Sequence, residues 1–450
     1  MMPKNNSSMK TKWSIWFVVL ALFPSLSAYA QSNSFIMLGS LNDFAALDLN
    51  ASHIPDRGTV LVGLGSSIDV RSQSGILTPE LSPFWGRSSS LELDRPDVKS
   101  GKIGLDLGVN TKWGFFSYQL SFNWIGEYTA DPAIRTLIQT NPTQLAGKHI
   151  QTGGLGEYFL GYQEHAMGFS TDRLLSSRRL KVGARFKLLH GFDYRDSKPE
   201  YLTLGFDVKG GLSEASLRYT AVRTGVTGGF VPGDPKQGEA ADRYYRMEGM
   251  PGGRSTGWGI DLGVEYELTR DLSFGLALND LGFLVWDRAV EVEANWPKES
   301  PYHFVNNSRW GESKPNDSHV DKALLRLKQI DDLLDNDLIL KRHISSLRTW
   351  VPAHFYLTST YKPMHWLQLK ALAGASLYRS KANWEGALGL VLQPTKWLGT
   401  TVTYSSVPFA RGEFGAGLVF GKYLQVAFGL DGLGHSKHSV RSYIGVHVRI

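Results

Sequence analysis

Residues able to do chemistry occur along this chain, but not at the spacings that catalysis requires. There is no H-E-x-x-H pair of zinc-binding histidines and no G-x-x-x-x-G-K-[ST] phosphate cradle; Gly253-Arg254-Ser255-Thr256-Gly257 spells G-x-S-x-G, but it leads into a strand pattern and not into the helix that a nucleophile elbow requires. A second candidate, Gly374-Ala375-Ser376-Leu377-Tyr378, lacks the closing glycine. His435 and His438 stand three apart in a turn of Gly, Ser and Lys, where solvated imidazoles are expected rather than metal ligands. Cysteine is absent, which removes thiolate metal sites, iron–sulfur clusters, cysteine nucleophiles and disulfides together. No catalytic residue, cofactor or metal is assigned, and a non-enzymatic protein is expected.

What the sequence offers instead is charge at a regular interval. Asp106, Glu157, Arg185, Lys187, Asp207, Arg218, Asp261, Glu265, Glu267, Lys370, Glu385 and Glu413 fall on the polar face of segments of period two. Both signs are present, so these side chains are expected to pair with one another inside an enclosed lumen; the functional alternative is that they line a polar conduit or hold a plug. Glu157, Arg185, Lys187, Asp261, Glu265, Glu267 and Lys370 are the lumen-lining candidates.

Such residues need strands to carry them, and residues 256–286 display one hairpin in full. Trp258, Ile260, Leu262, Val264, Tyr266 and Leu268 alternate with Gly259, Asp261, Gly263, Glu265 and Glu267. After the turn Thr269-Arg270-Asp271, the alternation resumes with Leu272, Phe274, Leu276 and Leu278. Each arm is about as long as the ~9–11 residues of a tilted membrane strand, against roughly 5–6 for an ordinary one. Apolar positions are even up to Leu278 and odd at Leu281, Phe283 and Val285, which predicts a β-bulge within 279–282. Asp280 sits at the switch and is expected to cap backbone donors there.

The same period recurs along the chain. Strands are predicted at 60–70, 102–109, 116–124, 155–169, 180–191, 201–208, 214–222, 256–268, 272–286, 351–361, 366–378, 384–392, 397–405, 412–420, 424–431 and 440–450. That makes sixteen, or fourteen if 60–70 or the hairpin 201–222 lies off the wall. Connections at 110–114, 171–179, 209–211, 269–271, 363–365, 394–396 and 421–423 are short and the intervening ones mostly longer, the short-periplasmic, long-extracellular rule of bacterial barrels. Trp113, Trp366 and Trp397 sit beside short turns, and Trp124, Trp258, Trp286, Trp350 and Trp384 at the opposite ends, as two interfacial girdles would place them. The fold class is all-β: a transmembrane antiparallel β-barrel of 14–16 strands, with long extracellular loops containing short helices.

Residues 1–30 read as a secretory signal peptide, with Lys4, Lys10 and Lys12 before an apolar run and Ala28-Tyr29-Ala30 as the cleavage site. Its removal would lower the formal charge from +6 to +3, too small and too scattered for a nucleic-acid surface. Residues 31–58 form an unpatterned N-terminal segment, a candidate plug, and the barrel occupies 59–450. Its long loops are expected over 223–255 and 287–349. A short helix is expected over 131–141, with Pro132 in its first turn. From His319 to His343, Leu324, Leu327, Ile330, Leu334 and Leu338 recur at helical spacing, an amphipathic helix that packs over the rim or docks a protein partner.

The series LAGKHIQTGGLGEYFLGYQEHAMGF, LKVGARFKLLHG and WGIDLGVEYELTRDLSFGLALNDLGFLVW resembles an uncharacterised domain-of-unknown-function family of Bacteroidota outer-membrane proteins. That family is similar to the fatty-acid-transporter-like barrels and to barrels associated with type IX secretion and gliding. Asn50-Ala51-Ser52 stands where such families place an Asn-Pro-Ala element before the first strand. The resemblance implies an outer-membrane barrel in contact with lipid, acting as a channel or transporter for a small solute, hydrophobic ones included. The alternative it implies is a non-enzymatic anchor or accessory subunit of a secretion, gliding or envelope-assembly complex.

Overall fold

The computed structural model describes residues 43–55, 60–71, 97–131, 142–153, 155–225, 255–308, 340–379, 381–407, 410–421, 423–434 and 439–449, with isolated positions between 132 and 141. The described strands, numbered along the chain, form one antiparallel sheet that closes on itself. β1 (Val60–Arg71) pairs with β2 (Asp97–Asn110) on one side and with the last strand, β18 (Ser439–Arg449), on the other. The wall continues through β3 (Phe115–Ala130), β5 (Leu155–Thr171), β6 (Leu180–Phe206), β8 (Ser255–Glu267), β9 (Leu272–Trp296) and β12 (Ala353–Met364). It is completed by β13 (Leu367–Tyr378), β14 (Lys381–Thr395), β15 (Leu398–Val407), β16 (Ala410–Phe420) and β17 (Leu424–Gly434).

Four further strands extend members of this wall instead of adding to it. β4 (His149–Thr152) runs beside β6 in line with β5, and β7 (Leu212–Gly225) lies between β6 and β9 in line with β8. β10 (Tyr302–Ser308) pairs with β7 in line with β9, and β11 (Leu340–Trp350) pairs with β9 in line with β12. The closed barrel is therefore fourteen-stranded. Closure leaves no open edge, the condition for strands to satisfy their backbone groups in lipid.

The outer face is apolar and the inner face polar, inverted from a water-soluble protein. On the hairpin of β8 and β9, Leu262, Val264, Tyr266, Phe274 and Leu276 are exposed, while Asp261 is 0% exposed. Elsewhere Leu105 and Leu107 point outward and Asp106 inward; Phe186 and Leu188 point outward and Arg185 and Lys187 inward. The alternation exists because successive side chains on a strand point to opposite faces, and a barrel has lipid on one face only.

Several expectations change. The segments 180–191 and 201–208 belong to one strand of 27 residues, β6, whose distal half carries the polar run 195–200. The turn 209–211 is short, but it closes the distal β6–β7 ribbon on the side of the long loops, because the number of preceding crossings decides the side and turn length does not. Val60–Arg71 is in the wall and completes its closure. The interval 287–349 begins and ends as strand, since β9 runs on to Trp296 and β11 starts at Leu340. Residues 340–343 of the expected helix 319–343 thus lie in a strand, and 319–339 fall outside the described residues. Trp286 leaves the outer girdle: the bulge in β9 puts it inward, 1% exposed, its indole donating to Thr349 Oγ1 at 2.9 Å. Trp113, Trp366 and Trp397 at the short turns are exposed, as are Trp258, Trp350 and Trp384 at the opposite ends. The expected helix 131–141 lies mostly outside the described residues; a single turn, α2 (Pro142–Leu145), follows it.

Candidate functional site

The first described element, helix α1 (Asp43–Leu49), lies inside the barrel. Leu47 packs with Leu61 and Phe115 of β1 and β3, and Leu49 packs with Ala277, Tyr356 and Leu372 of β9, β12 and β13. Those strands lie on roughly opposite sides of the ring, so the helix bridges the lumen. Its C-terminal carbonyls are held by the wall: Asn279 Nδ2 donates to Asp48 O at 2.9 Å and to Leu49 O at 2.8 Å. Groups that a helix end leaves unpaired are satisfied here by a strand side chain.

The chain then turns at Asn50-Ala51-Ser52. Asn50 Oδ1 accepts from Ser52 N at 3.0 Å and from Ser52 Oγ at 2.8 Å, while Asn50 Nδ2 donates to Val264 O at 3.2 Å. The turn lies directly on the wall, over Gly183 and Gly263, which are cross-strand partners on β6 and β8. A Cβ at Gly183 would stand 1.9 Å from Ala51 O, and one at Gly263 would stand 2.0 Å from Asn50 Oδ1. The glycine pair is the seat of the turn, where the two backbones approach too closely for a side chain.

Beside α1 the inward charges converge. Arg185 reaches Asp261 at 2.7 Å and Asp48 at 3.4 Å, and Lys187 reaches Asp261 at 3.0 Å, Glu164 at 3.3 Å and also Asp280. Lys102 reaches Asp48 at 2.9 Å and Gln119 Oε1 at 3.0 Å. The Gln119 amide donates to Asp48 at 3.0 Å and to Asp106 at 2.6 Å. Burial alone would raise the Asp48 carboxyl, but Lys102 and Arg185 outweigh it and hold the group below its ordinary value. Two strand cations, Lys102 and Arg185, and the Gln119 amide thus tie the helix to β2, β6 and β3.

The bulge falls where the parity switch placed it. Ile260 pairs with Leu281 and Leu262 with Leu278, so Asp261 faces both Asn279 and Asp280. Asp280 has φ 62°, the left-handed region. The capping role expected of Asp280 belongs to Asp261, whose Oδ1 accepts from Asp280 N at 2.7 Å. The carboxylate of Asp280 is left to Lys187.

Of the lumen-lining candidates, the structure brings together Arg185, Lys187 and Asp261. Glu265 and Glu267 pair with Lys181 nearer the short-turn end, at 3.0 and 3.2 Å. Lys370 stands on β13, half-buried, and does not join the cluster. Glu157 does not face the lumen: Tyr158 and Leu160 beside it belong to an inner apolar cluster, and Glu157 pairs with Arg195 at 2.7 Å on the opposite face. Both faces of β5 are aromatic there, so alternation did not distinguish them. Asp207 and Arg218 lie on the distal ribbon, Asp207 accepting from Lys209 N and Gly211 N at 2.8 Å and Arg218 pairing with Glu200 at 3.2 Å. Asp106, Glu385 and Glu413 are buried; Glu413 pairs with Arg441 on the far side of the barrel, with Asp431 and Asp69 in cross-strand register with Arg441. Reading by residue type missed Asp48, Lys102, Glu164, Gln119 and Asn279. Lys102 and Glu164 carried the signal, being charged residues on inward parity; Asp48 carried none.

Toward the distal side the lumen is apolar, filled by Tyr158, Leu160, Tyr162, Tyr194, Leu284 and Trp286. Between this cluster and α1 remains a cavity of about 190 Å³, lined by Asp48, Lys102, Asp106, Glu164, Asp280 and Tyr162 among others.

Fold and interior together define a membrane-spanning β-barrel whose lumen is bridged by its own N-terminal segment. Within that class the chain belongs to DUF5723, a family of unknown function whose profile matches residues 98–431. No curated protein matches it. Among solved structures, the Ralstonia pickettii toluene transporter TbuX is similar at TM-score 0.49 and 9% identity, over 90% of this chain and 93% of its own. A Pseudomonas aeruginosa FadL homologue is similar at TM-score 0.45 and 12% identity, over 94% and 99%. The Pseudomonas putida toluene transporter TodX is similar at TM-score 0.43 and 12% identity, over 95% and 96%.

Proposed function

We propose that this protein is an outer-membrane channel or transporter for a small solute, delivered to that membrane by cleavage of its signal peptide near Ala30. The observation that carries the reading is the cavity of about 190 Å³ between α1 and the charged wall: a barrel serving only as an anchor has no need to keep space beside its interior segment. The seat formed by Gly183 and Gly263 supports a removable plug, because the turn meets the wall through close backbone approach and a few hydrogen bonds. The test is reconstitution of the full chain into liposomes and planar bilayers. Discrete conductance steps or solute uptake above protein-free controls are expected; an inert membrane at saturating protein would refute a channel.

A second reading, an accessory subunit of a secretion or gliding complex in Bacteroidota, is favoured by the β6–β7 ribbon, which projects beyond the apolar band with Val208 86% exposed at its tip. Affinity purification from native membranes, with and without residues 319–339, tests it through the loss or survival of a stoichiometric companion.

A further inference from the structure

The cavity itself indicates what enters it, and this inference rests on the channel reading only for the route of entry. An apolar cavity of about 150 Å³ holds benzene. The space here, about 190 Å³, therefore suits a molecule of roughly six to nine non-hydrogen atoms.

Its charge is unbalanced. Asp48, Asp106, Glu164 and Asp280 line it, and Asp261 stands behind them, fully buried. Lys102, Arg185 and Lys187 are the cations facing them among the described residues. Five carboxylates share three cations. Asp106 accepts from the Gln119 amide and has no cation at salt-bridge distance among the described residues. Glu164 Oε1 has Lys187 at 3.3 Å but no aligned hydrogen bond among the described residues. A buried carboxylate without a full partner takes up a proton or recruits a cation. The three resident cations are already committed to carboxylates, which leaves none to receive an anion.

The cavity also has aromatic walls: Tyr162, Tyr356 and Tyr443. Ring faces attract cations, most strongly where water is excluded, and they pack against alkyl groups. A bare metal ion fits poorly, since the space is far larger than an ion and no group of three or more His, Asp or Glu among the described residues is arranged to hold one.

We propose that this cavity binds a small organic ammonium ion, its charge toward Asp106 and Glu164 and its alkyl groups against the tyrosine rings. The test uses the full-length barrel in detergent, titrated calorimetrically with tetramethylammonium, neutral tert-butanol and acetate. Tetramethylammonium is expected to bind and the other two are not. Asp106→Asn and Glu164→Gln, each checked for folding by heat-modifiable gel migration, are each expected to weaken binding about tenfold. In planar bilayers, a gradient of tetramethylammonium chloride is expected to give a cation-selective reversal potential. Equal affinity for the neutral isostere, or binding unchanged in both variants, would overturn the assignment. Passage of all three solutes without binding preference sinks the ammonium site and leaves the channel standing. Binding without conductance or uptake upholds the site and removes the channel.

Discussion

The glycine seat makes the most direct prediction. A Cβ placed at Gly263 would lie 2.0 Å from Asn50 Oδ1, 2.6 Å from Ser52 N and 2.8 Å from Ala51 N. Two of these neighbours are backbone, so Gly263→Ala is relieved only by lifting the turn from the wall. Overpacking of this kind costs typically about 1–3 kcal/mol. The wall strands need not move, because both partners of β8 keep their ladders. The penalty therefore falls on the docked segment, and its fraction open should rise about 5–150-fold. The absence of cysteine from the chain supplies the assay. Ser52 is 0% exposed, so Ser52→Cys is a single thiol shielded from an aqueous maleimide while the turn is seated. Labelling in the Gly263→Ala background should accelerate by that factor, with heat-modifiable migration unchanged, and open-channel conductance should rise. Labelling equally slow in both backgrounds would refute the argument that backbone contact at Gly263 holds the segment.

Three further outcomes follow from the same geometry. Lys187→Met leaves Asp261, Asp280 and Glu164 without their shared cation, and should destabilise the barrel by about 3–5 kcal/mol in urea titration, as removal of one partner of a buried ion pair does. Asp48 is held below its ordinary value of 3.8, so its contribution to docking is fully present above that value and is lost as pH falls through its lower docked-state value; labelling of Ser52→Cys, expressed at each pH relative to a free thiol so that the thiolate fraction cancels, should accelerate below pH ~4 and stay flat from there to neutrality. Leu276→Lys puts a charge on the outer face, where Leu276 is 46% exposed, and should cost about 2–4 kcal/mol near the bilayer midplane, read as reduced assembly into lipid vesicles.

The architecture was legible because hydrocarbon outside and polar groups inside impose a period of two over each crossing, and that period is local. The hairpin 256–286 carried its strands, its turn and its bulge in the residues themselves, since an inserted residue must flip parity. Other points lay outside local pattern. Residues 192–200 read as a break because polar residues and Pro199 take both faces over 195–200, yet the backbone continues as one strand. Trp286 read as a girdle residue until the bulge turned it inward. Glu157 was ambiguous because aromatic residues occupy both faces of β5.

Sequence alone determined the class of solvent on each side of the wall, and with it the strands, the closure they require and the inward set of Arg185, Lys187 and Asp261. Only the tertiary structure decided what those charges do. Asp48 sits in a segment without periodicity, and it meets Lys102 and Arg185 because β2 and β6 curve around one lumen and bring together residues 54 and 137 positions away. Gly183 and Gly263 look like any wall glycines until the turn at Asn50 is laid across them. Long-range contact of that kind is written in the space the barrel encloses, and no one-dimensional spacing encodes it.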